Sequence, residues 1–464
     1  MVIMKKIKKL KNNPKLFFID MIRKRKSTQY LVDKKKVIGN HQYTVVSAVY
    51  GVERYLDDYF RSLVHQTLDF KKHIFLIMVD DGSLDNSAKI IKKWQKKYPD
   101  NIKYIKKENG GQASARNFGL EYVSTEWVTF IDPDDFVNDV YFENIDNILE
   151  KDKNNYIGMI GCKWRIYQEN RNEFHFNHPL NFRFISGNRT FNHSKDKRFL
   201  PSSVATTFYR NSVINKFKIT FNEEIKPNFE DGYFSAKYYL YMPYISVAYA
   251  SKSWYIYRKR ANGDSTLDSS WENVNRFTVV PKIGYLALLE DDINNEKIPR
   301  ALQRLIMYDL VWYFKKIINT PQSISFLNNI EKQEFKDLVY KIFKYIDYDV
   351  IMTFELAGFW FYHKVGFLGM LKGEKPPFNI IYIDDYDEVK SLVKLRYFYY
   401  GNEPLALYKI DDKYILPSYE KVRTHYFLDD VFCQEKIVWL DISKAVNNIK
   451  IIPLYTTKSK YQDQ

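Results

Sequence analysis

The sequence predicts an α/β protein: a mainly parallel sheet with helices on both faces, then a helical region, then a small β-sandwich-like part. Three observations carry this. Apolar runs of strand length alternate with helically spaced apolar residues from residue 43 to 131. Helical spacing alone dominates from about 271 to 371. After Glu374-Lys375-Pro376-Pro377 the apolar residues fall into short runs separated by turns. Strands alternating with helices at this pitch call for parallel pairing, because a crossover helix must carry the chain back across the sheet.

In order, residues 43–49 (YTVVSAV) read as a buried strand, and Leu56, Phe60, Leu63 and Val64 recur at helical spacing. Residues 74–79 form a second strand, followed by Leu84, Ala88, Ile91, Trp94 and Tyr98 at helical intervals. Residues 102–105, a glycine-rich turn, a helix around 113–122 and a strand at 127–131 complete the run. Residues 155–260 are mixed, with strands expected near 156–162 and 246–257. Leu302, Leu305, Tyr308, Leu310, Trp312 and Phe314 mark the helical stretch, and short strands are expected near 380–382, 395–399, 405–409, 437–440 and 449–454. The expected organisation is a basic amphipathic segment at 1–40, an α/β domain at 41–270, a helical connector at 271–375 and a β-rich domain at 376–464.

The formal net charge is +15. Residues 1–40 hold 13 Lys or Arg against Asp20 and Asp33, a net of +11 that leaves +4 for the remainder. Basicity confined to one segment argues against a nucleic-acid groove across the body. With 45% apolar and 17% aromatic residues the chain has ample material for packed cores. The two cysteines, Cys162 and Cys433, have neither metal-ligand nor disulfide-framework spacing, which suits a reducing cytoplasm. No run reaches the roughly 20 apolar residues of a membrane span, and no signal peptide is expected. Asn13-Pro14 followed by Leu16, Phe17, Phe18, Ile19, Met21 and Ile22, with lysines and arginines on both sides, suits attachment to an anionic membrane surface. A helix packed on the body is the alternative.

Five motifs carry chemistry. Asp80-Asp81-Gly82-Ser83 follows the second strand, where a carboxylate can accept from the N–H of a uracil ring and Ser83 or Asp85 can cap the next helix. Asn109-Gly110-Gly111 enters the helix containing Ala115-Arg116-Asn117; Arg116 either reaches a phosphate or ribose or is salt-bridged internally. Asp132-Pro133-Asp134-Asp135 ends a buried strand, and three carboxylates in four residues repel one another unless a cation sits among them. Oxygen ligands favour Mg²⁺ or Mn²⁺. Glu230-Asp231-Gly232 lies among aromatics, a setting that suits a general base or simply starts a helix. Tyr257-Arg258-Lys259-Arg260 with Gly263-Asp264-Ser265-Thr266 offers cations and hydroxyls on a flexible loop that closes over a diphosphate or is merely exposed.

In this order the motifs resemble the family 2 glycosyltransferases of the GT-A fold, particularly bacterial enzymes of capsule and wall teichoic acid synthesis. The resemblance covers about residues 43–265. It implies an inverting transfer from a UDP-sugar, with Ala48, Tyr50, Asp81, Arg116, Asp132, Arg258 and Ser265 contacting the nucleotide. It further implies a metal on Asp134 and Asp132, and Asp231 as catalytic base with Glu230 beside it. The acceptor implied is a polysaccharide or polyol-phosphate polymer, the location the inner face of the cell membrane, and a homo-oligomer is compatible. One departure is that strand one ends Ala48-Val49-Tyr50-Gly51 where the family usually reads Pro-x-Tyr-Asn. The rival reading is a catalytically silent scaffold that binds sugar nucleotides or glycans within a polymer-synthesis complex.

Overall fold

The computed structural model describes residues 36–196, 198–201, 203–260, 269–291, 297–410, 413–442 and 449–454. The expected membrane-binding helix and Ser265 lie outside these residues.

The chain begins β1 (Tyr43–Val49), α1 (Leu56–Val64), β2 (Ile74–Asp80), α2 (Ser87–Lys97), β3 (Ile102–Lys106), α3 (Gln112–Leu120) and β4 (Trp127–Phe130). The four strands pair in parallel in the order β3-β2-β1-β4, with Val45 opposite Leu76 and Thr129. Successive side chains of a strand point to opposite faces, and here both faces are covered. Val45, Val49, Leu76 and Met78 pack with Leu56, Tyr59, Phe60 and Ile91 from α1 and α2. Val46, Ile77 and Val79 pack with Ala113, Ala115 and Leu120 from α3. Two-sided burial is why these strands read as continuous apolar runs rather than alternating ones.

Beyond β4 come β5 (Phe136–Val137), α4 (Tyr141–Leu149), β6 (Ile157–Gln168), β7 (Glu173–His175), β8 (Arg189–Asn192), β9 (Thr207–Arg210), α5 (Asn211–Phe217), α6 (Glu230–Tyr241) and β10 (Ser246–Lys259). The sheet continues antiparallel from β4 to β9 and β6, and β10 then runs parallel to β6. β6 outruns its expected end at 162 because pairing with β10 extends to Gln168 and Lys259. Leu84, expected on a buried helix face, is instead 95% exposed. The helix starts only at Ser87, whose N–H donates to Asp85 Oδ1 at 3.0 Å, so the capping residues hold Leu84 in the turn outside it.

The helical region centres on α7 (Arg300–Ile317), α8 (Asn329–Lys344) and α9 (Phe361–Gly366). α8 opens with a reciprocal capping box: Asn328 Oδ1 accepts from the Glu331 N–H at 3.0 Å, and Glu331 Oε2 accepts from the Asn328 N–H at 2.8 Å. Then follow β11 (Ile381–Asp387), β12 (Leu392–Tyr399), β13 (Leu405–Ile410), β14 (Lys413–Ile415), β15 (Tyr419–Phe427), β16 (Asp430–Asp441) and β17 (Ile449–Leu454). They make two antiparallel sheets, β11-β12-β16-β15 and β14-β13-β17, with Val393, Leu395, Tyr397, Val438 and Leu440 packed around Tyr408. β15 escaped the sequence reading because it is an edge strand whose first half is exposed and carries Glu420, Lys421 and Arg423, so no buried face marks its period.

Helical region and sheets share one apolar cluster, which also takes in Phe229 and Ala236 at the α/β-domain end. Phe314 is its hub, stacked on Phe427 with centroids 4.0 Å apart and touching Phe367 and Phe432. Phe314→Ala is expected to cost about 3–5 kcal/mol, read as a lowered melting temperature in differential scanning calorimetry.

Candidate active site

Parallel pairing brings the carboxyl ends of β1 to β4 to one edge of the sheet, and there they open onto a cleft of about 560 Å³. Six of the sequence-predicted residues line it: Ala48, Tyr50, Asp81, Asp132, Asp134 and Arg258. Tyr50, 56% exposed at the tip of β1, offers a free aromatic face.

Asp81 is fixed by the glycine turn. Its Oδ1 accepts from Lys107 Nζ at 2.9 Å and the Gly110 N–H at 3.0 Å, and its Oδ2 from the Gly111 N–H at 2.8 Å. Gly111 sits at φ +90°, a backbone that side chains other than glycine's rarely tolerate. Part of the acceptor capacity expected for a base is thus spent on shaping the turn; of a carboxylate's roughly four lone pairs, one on Oδ2 is left over.

Arg116 is aimed by close packing of α3 on the sheet: a Cβ on Gly119 would lie 2.5 Å from Val46 Cγ1, so only glycine lets the helix approach this far. The guanidinium is 2% exposed and lies over the Phe221 ring. Asn117 holds that ring's segment by exchanging bonds with the Phe221 N–H and C=O at 2.7 and 2.9 Å. Arg116 donates to Asp132 Oδ1 at 2.9 Å and to Asp231 Oδ1 at 2.5 Å, with Glu230 Oε1 at 3.7 Å. The structure therefore gives Arg116 its internal, salt-bridged alternative, and in doing so joins two motifs about 100 residues apart. Burial opposes its charge, but Asp231, Asp132 and Glu230 outweigh that and hold its pKa above the usual value. Asp231, with 28% of its side chain exposed, also receives the Ser203 hydroxyl at 3.5 Å. Phe229, at φ +82° and packed edge-on against Tyr285, sets the entry angle of α6 and so the direction of Glu230 and Asp231.

The Asp132–Asp135 run is dissected by its neighbours. Asp135 is buried, accepting from the Tyr255 hydroxyl at 2.5 Å and the Arg258 N–H at 2.7 Å; burial, then Asp134 and Asp132, hold its pKa well above the carboxylate range. Arg258 is not on a flexible loop: it is the penultimate residue of β10, nearly fully buried, and its guanidinium donates to the Asp134 carbonyl at 2.8 Å and to Asp58 Oδ2 at 3.2 Å. It braces the acidic turn, because parallel pairing with β6 carries strand structure through Lys259. The cation that reaches Asp134 is Arg260, with two nitrogens on Oδ2 at 3.0 and 2.7 Å. Burial and the Asp132 charge still raise the Asp134 pKa. Sequence reading marked the run Tyr257 to Arg260 but singled out Arg258, as a nucleotide contact, rather than Arg260; Gln112, donating to Asp132 Oδ1 at 2.9 Å, and Ser203 were missed.

These residues fit a divalent cation in a limited way. All donors to Asp132 converge on Oδ1 and those to Asp134 on Oδ2, so each carboxylate keeps one oxygen without a donor among the described residues. Among the same residues no three His, Cys, Asp or Glu side chains form a complete ligand set. Two carboxylates plus substrate phosphates is the manner in which Mg²⁺ is ordinarily held.

Burial, then the charge of Asp231, push the Glu230 pKa up to about 8 from its ordinary 4.5. The folded chain therefore keeps this proton to higher pH than the unfolded chain, and stability falls as pH climbs from about 4.5 through 8. Glu230→Gln is expected to raise the melting temperature relative to the unmodified protein at pH 9 and to have a much smaller effect at pH 5.

Residues 44–219 match the family described as Glycosyl transferase family 2. The minor teichoic acid biosynthesis protein GgaB of Bacillus subtilis (strain 168) is 34% identical over 329 residues, 70% of this chain and 35% of GgaB. GgaA of the same organism, also a minor teichoic acid biosynthesis protein, is 31% identical over 309 residues, 66% of this chain and 67% of GgaA. The chain thus spans about a third of the length of GgaB and two thirds of GgaA. The fold is similar to that of S. aureus TarS 1-349 in complex with UDP-GlcNAc, with a TM-score of 0.50 and 19% identity over 74% of this chain and 95% of that one. The chain belongs to glycosyltransferase family 2.

Proposed function

We propose that the chain moves a sugar, a hexose or N-acetylhexosamine, from a UDP-sugar to a hydroxyl of a cell-surface polysaccharide or teichoic-acid-like polymer, with inversion and with dependence on Mg²⁺ or Mn²⁺. One observation carries this reading: a single buried guanidinium grips both Asp132, in the cleft wall, and Asp231, from a distant helix. A donor held in the cleft and a base held by Arg116 then meet at one place.

Tyr50 stacks on the base, and the remaining lone pair of Asp81 accepts from the uracil N–H. Asp132 and Asp134 would hold the cation, which supplies positive charge to a departing diphosphate. Asp231 takes the proton of the acceptor hydroxyl as that oxygen attacks the anomeric carbon; one displacement inverts the centre. Burial raises the Asp231 pKa, as suits a base, while Arg116 opposes that rise; once Asp231 is neutral the guanidinium still faces Asp132. A UDP-sugar donor is also supported by the TarS fragment of similar fold, whose complex contains UDP-GlcNAc. The teichoic acid functions of GgaB and GgaA support the acceptor class. Residues 1–40 would hold the enzyme to the anionic inner face of the membrane, and residues 271–464 would serve acceptor binding or oligomerisation.

Released UDP, measured over a panel of nucleotide sugars with Mn²⁺ and with EDTA, tests the reading; chelation is expected to abolish release and added Mn²⁺ to restore it. Asp231→Asn is expected to bind UDP nearly as before and to lose about 10²–10⁴ in turnover; full turnover in that variant removes Asp231 as the base.

A further inference from the structure

A second cavity, of about 580 Å³, opens between the catalytic domain and the helical region. Phe182 and Arg198 wall one side; Arg304, Trp312 and Lys315, a single stripe of α7, wall the other, and Glu355 stands at its rim. None of these residues belongs to the donor cleft.

Arg304 sets this cavity apart. It is 2% exposed, and neither its Nε nor one terminal nitrogen finds a hydrogen-bond acceptor among the described residues. Among the described residues its ring contact is with Phe354, 5.3 Å from the centroid, and the edge of the guanidinium is left unserved by them. Buried cations are ordinarily paired, because a charge taken out of water with its donors unmet is strongly disfavoured. Burial, and then the nearby Arg183, lower its pKa to about 10, so it remains a cation at neutral pH. The acids around it do not neutralise it: Asp196 is bound to Arg189 at 3.0 Å, and Glu355 is exposed. Arg198 and Lys315 add charge on either side. Lys315 Nζ gives one bond to the Ala357 carbonyl at 2.9 Å and lies 5.0 Å from the Trp312 ring centroid. A fork of donors flanked by further cations and by two aromatic rings matches an anion carried on a bulkier, partly apolar chain.

We propose that this cavity binds a phosphodiester of the acceptor polymer, whose oxygens accept from Arg304 while the adjoining sugar or polyol rests on Trp312 and Phe182. The proposal rests on the transferase reading above and supplies its acceptor site. Its placement fits that role. Arg198 is five residues from Ser203, whose hydroxyl donates to Asp231, and five residues span roughly 18 Å at most. A polymer anchored by one phosphate here has its neighbouring units within reach of the base.

The test is titration of the full chain with a short synthetic oligo(glycerol phosphate), its uncharged polyglycerol analogue and phosphatidylglycerol vesicles, followed by calorimetry. Saturable binding of the charged oligomer is expected, weakened about tenfold or more in Arg304→Met and to a lesser degree in Arg198→Ala. UDP affinity measured on the same samples reports that the fold is intact; should Arg304→Met fail to fold, Arg198→Ala, at an exposed position, decides. Unchanged oligomer binding in the folded variants, equal binding of the uncharged analogue, or arginine-dependent binding to vesicles alone overturns the proposal. Loss of all UDP release with arginine-dependent oligomer binding intact sinks the transferase reading instead and leaves the phosphate site standing.

Discussion

One buried guanidinium organises this molecule's chemistry. Arg116 lies where the end of β4, the start of α6 and the Phe221 segment converge, and it is the group that binds the carboxylates of the first two together. Without it, Asp132 and Asp231 would share a poorly hydrated space with only the Gln112 amide and the Ser203 hydroxyl to offset their repulsion. The surrounding sequence serves its placement: Gly119 lets α3 settle on Val46, Asn117 ties down the ring beneath the guanidinium, and Phe229 turns α6 so that its first two residues face it.

A second set of cations treats the neighbouring acids differently. Arg258 holds the backbone and rim of the acidic turn, whereas Arg260 covers one oxygen of Asp134. Burial first, and then the charge of neighbouring carboxylates, raise the pKa of both Asp134 and Asp135, so the two arginines leave part of that repulsion standing. Such an imbalance favours a cationic or cation-bearing ligand, and a metal-bound nucleotide diphosphate has that character.

Much of this was legible in the sequence because both-sided burial prints continuous apolar runs on β1, β2 and β4, and the acids fall just past their ends. What escaped depends on tertiary pairing. Nothing local to Asp81 announces Lys107, and nothing in Tyr257-Arg258-Lys259-Arg260 says that the strand continues through Lys259. β15 was invisible because an exposed edge strand has no buried face to set its period. Arg304 reads as an ordinary charged position of a helix; only the packing of residues 179–184 and 353–358 around α7 turns it into a buried, underserved donor.

A double-mutant cycle on the guanidinium measures the central interaction directly, with Arg116→Met, Asp231→Asn and the pair compared in chemical unfolding. Removing the arginine alone strands buried carboxylates and is expected to cost about 3–5 kcal/mol. Neutralising Asp231 in the same chain should return part of that, giving a coupling above about 1 kcal/mol. Effects that add to within about 0.5 kcal/mol would contradict the account, since Arg116 and Asp231 would then be neighbours without being partners.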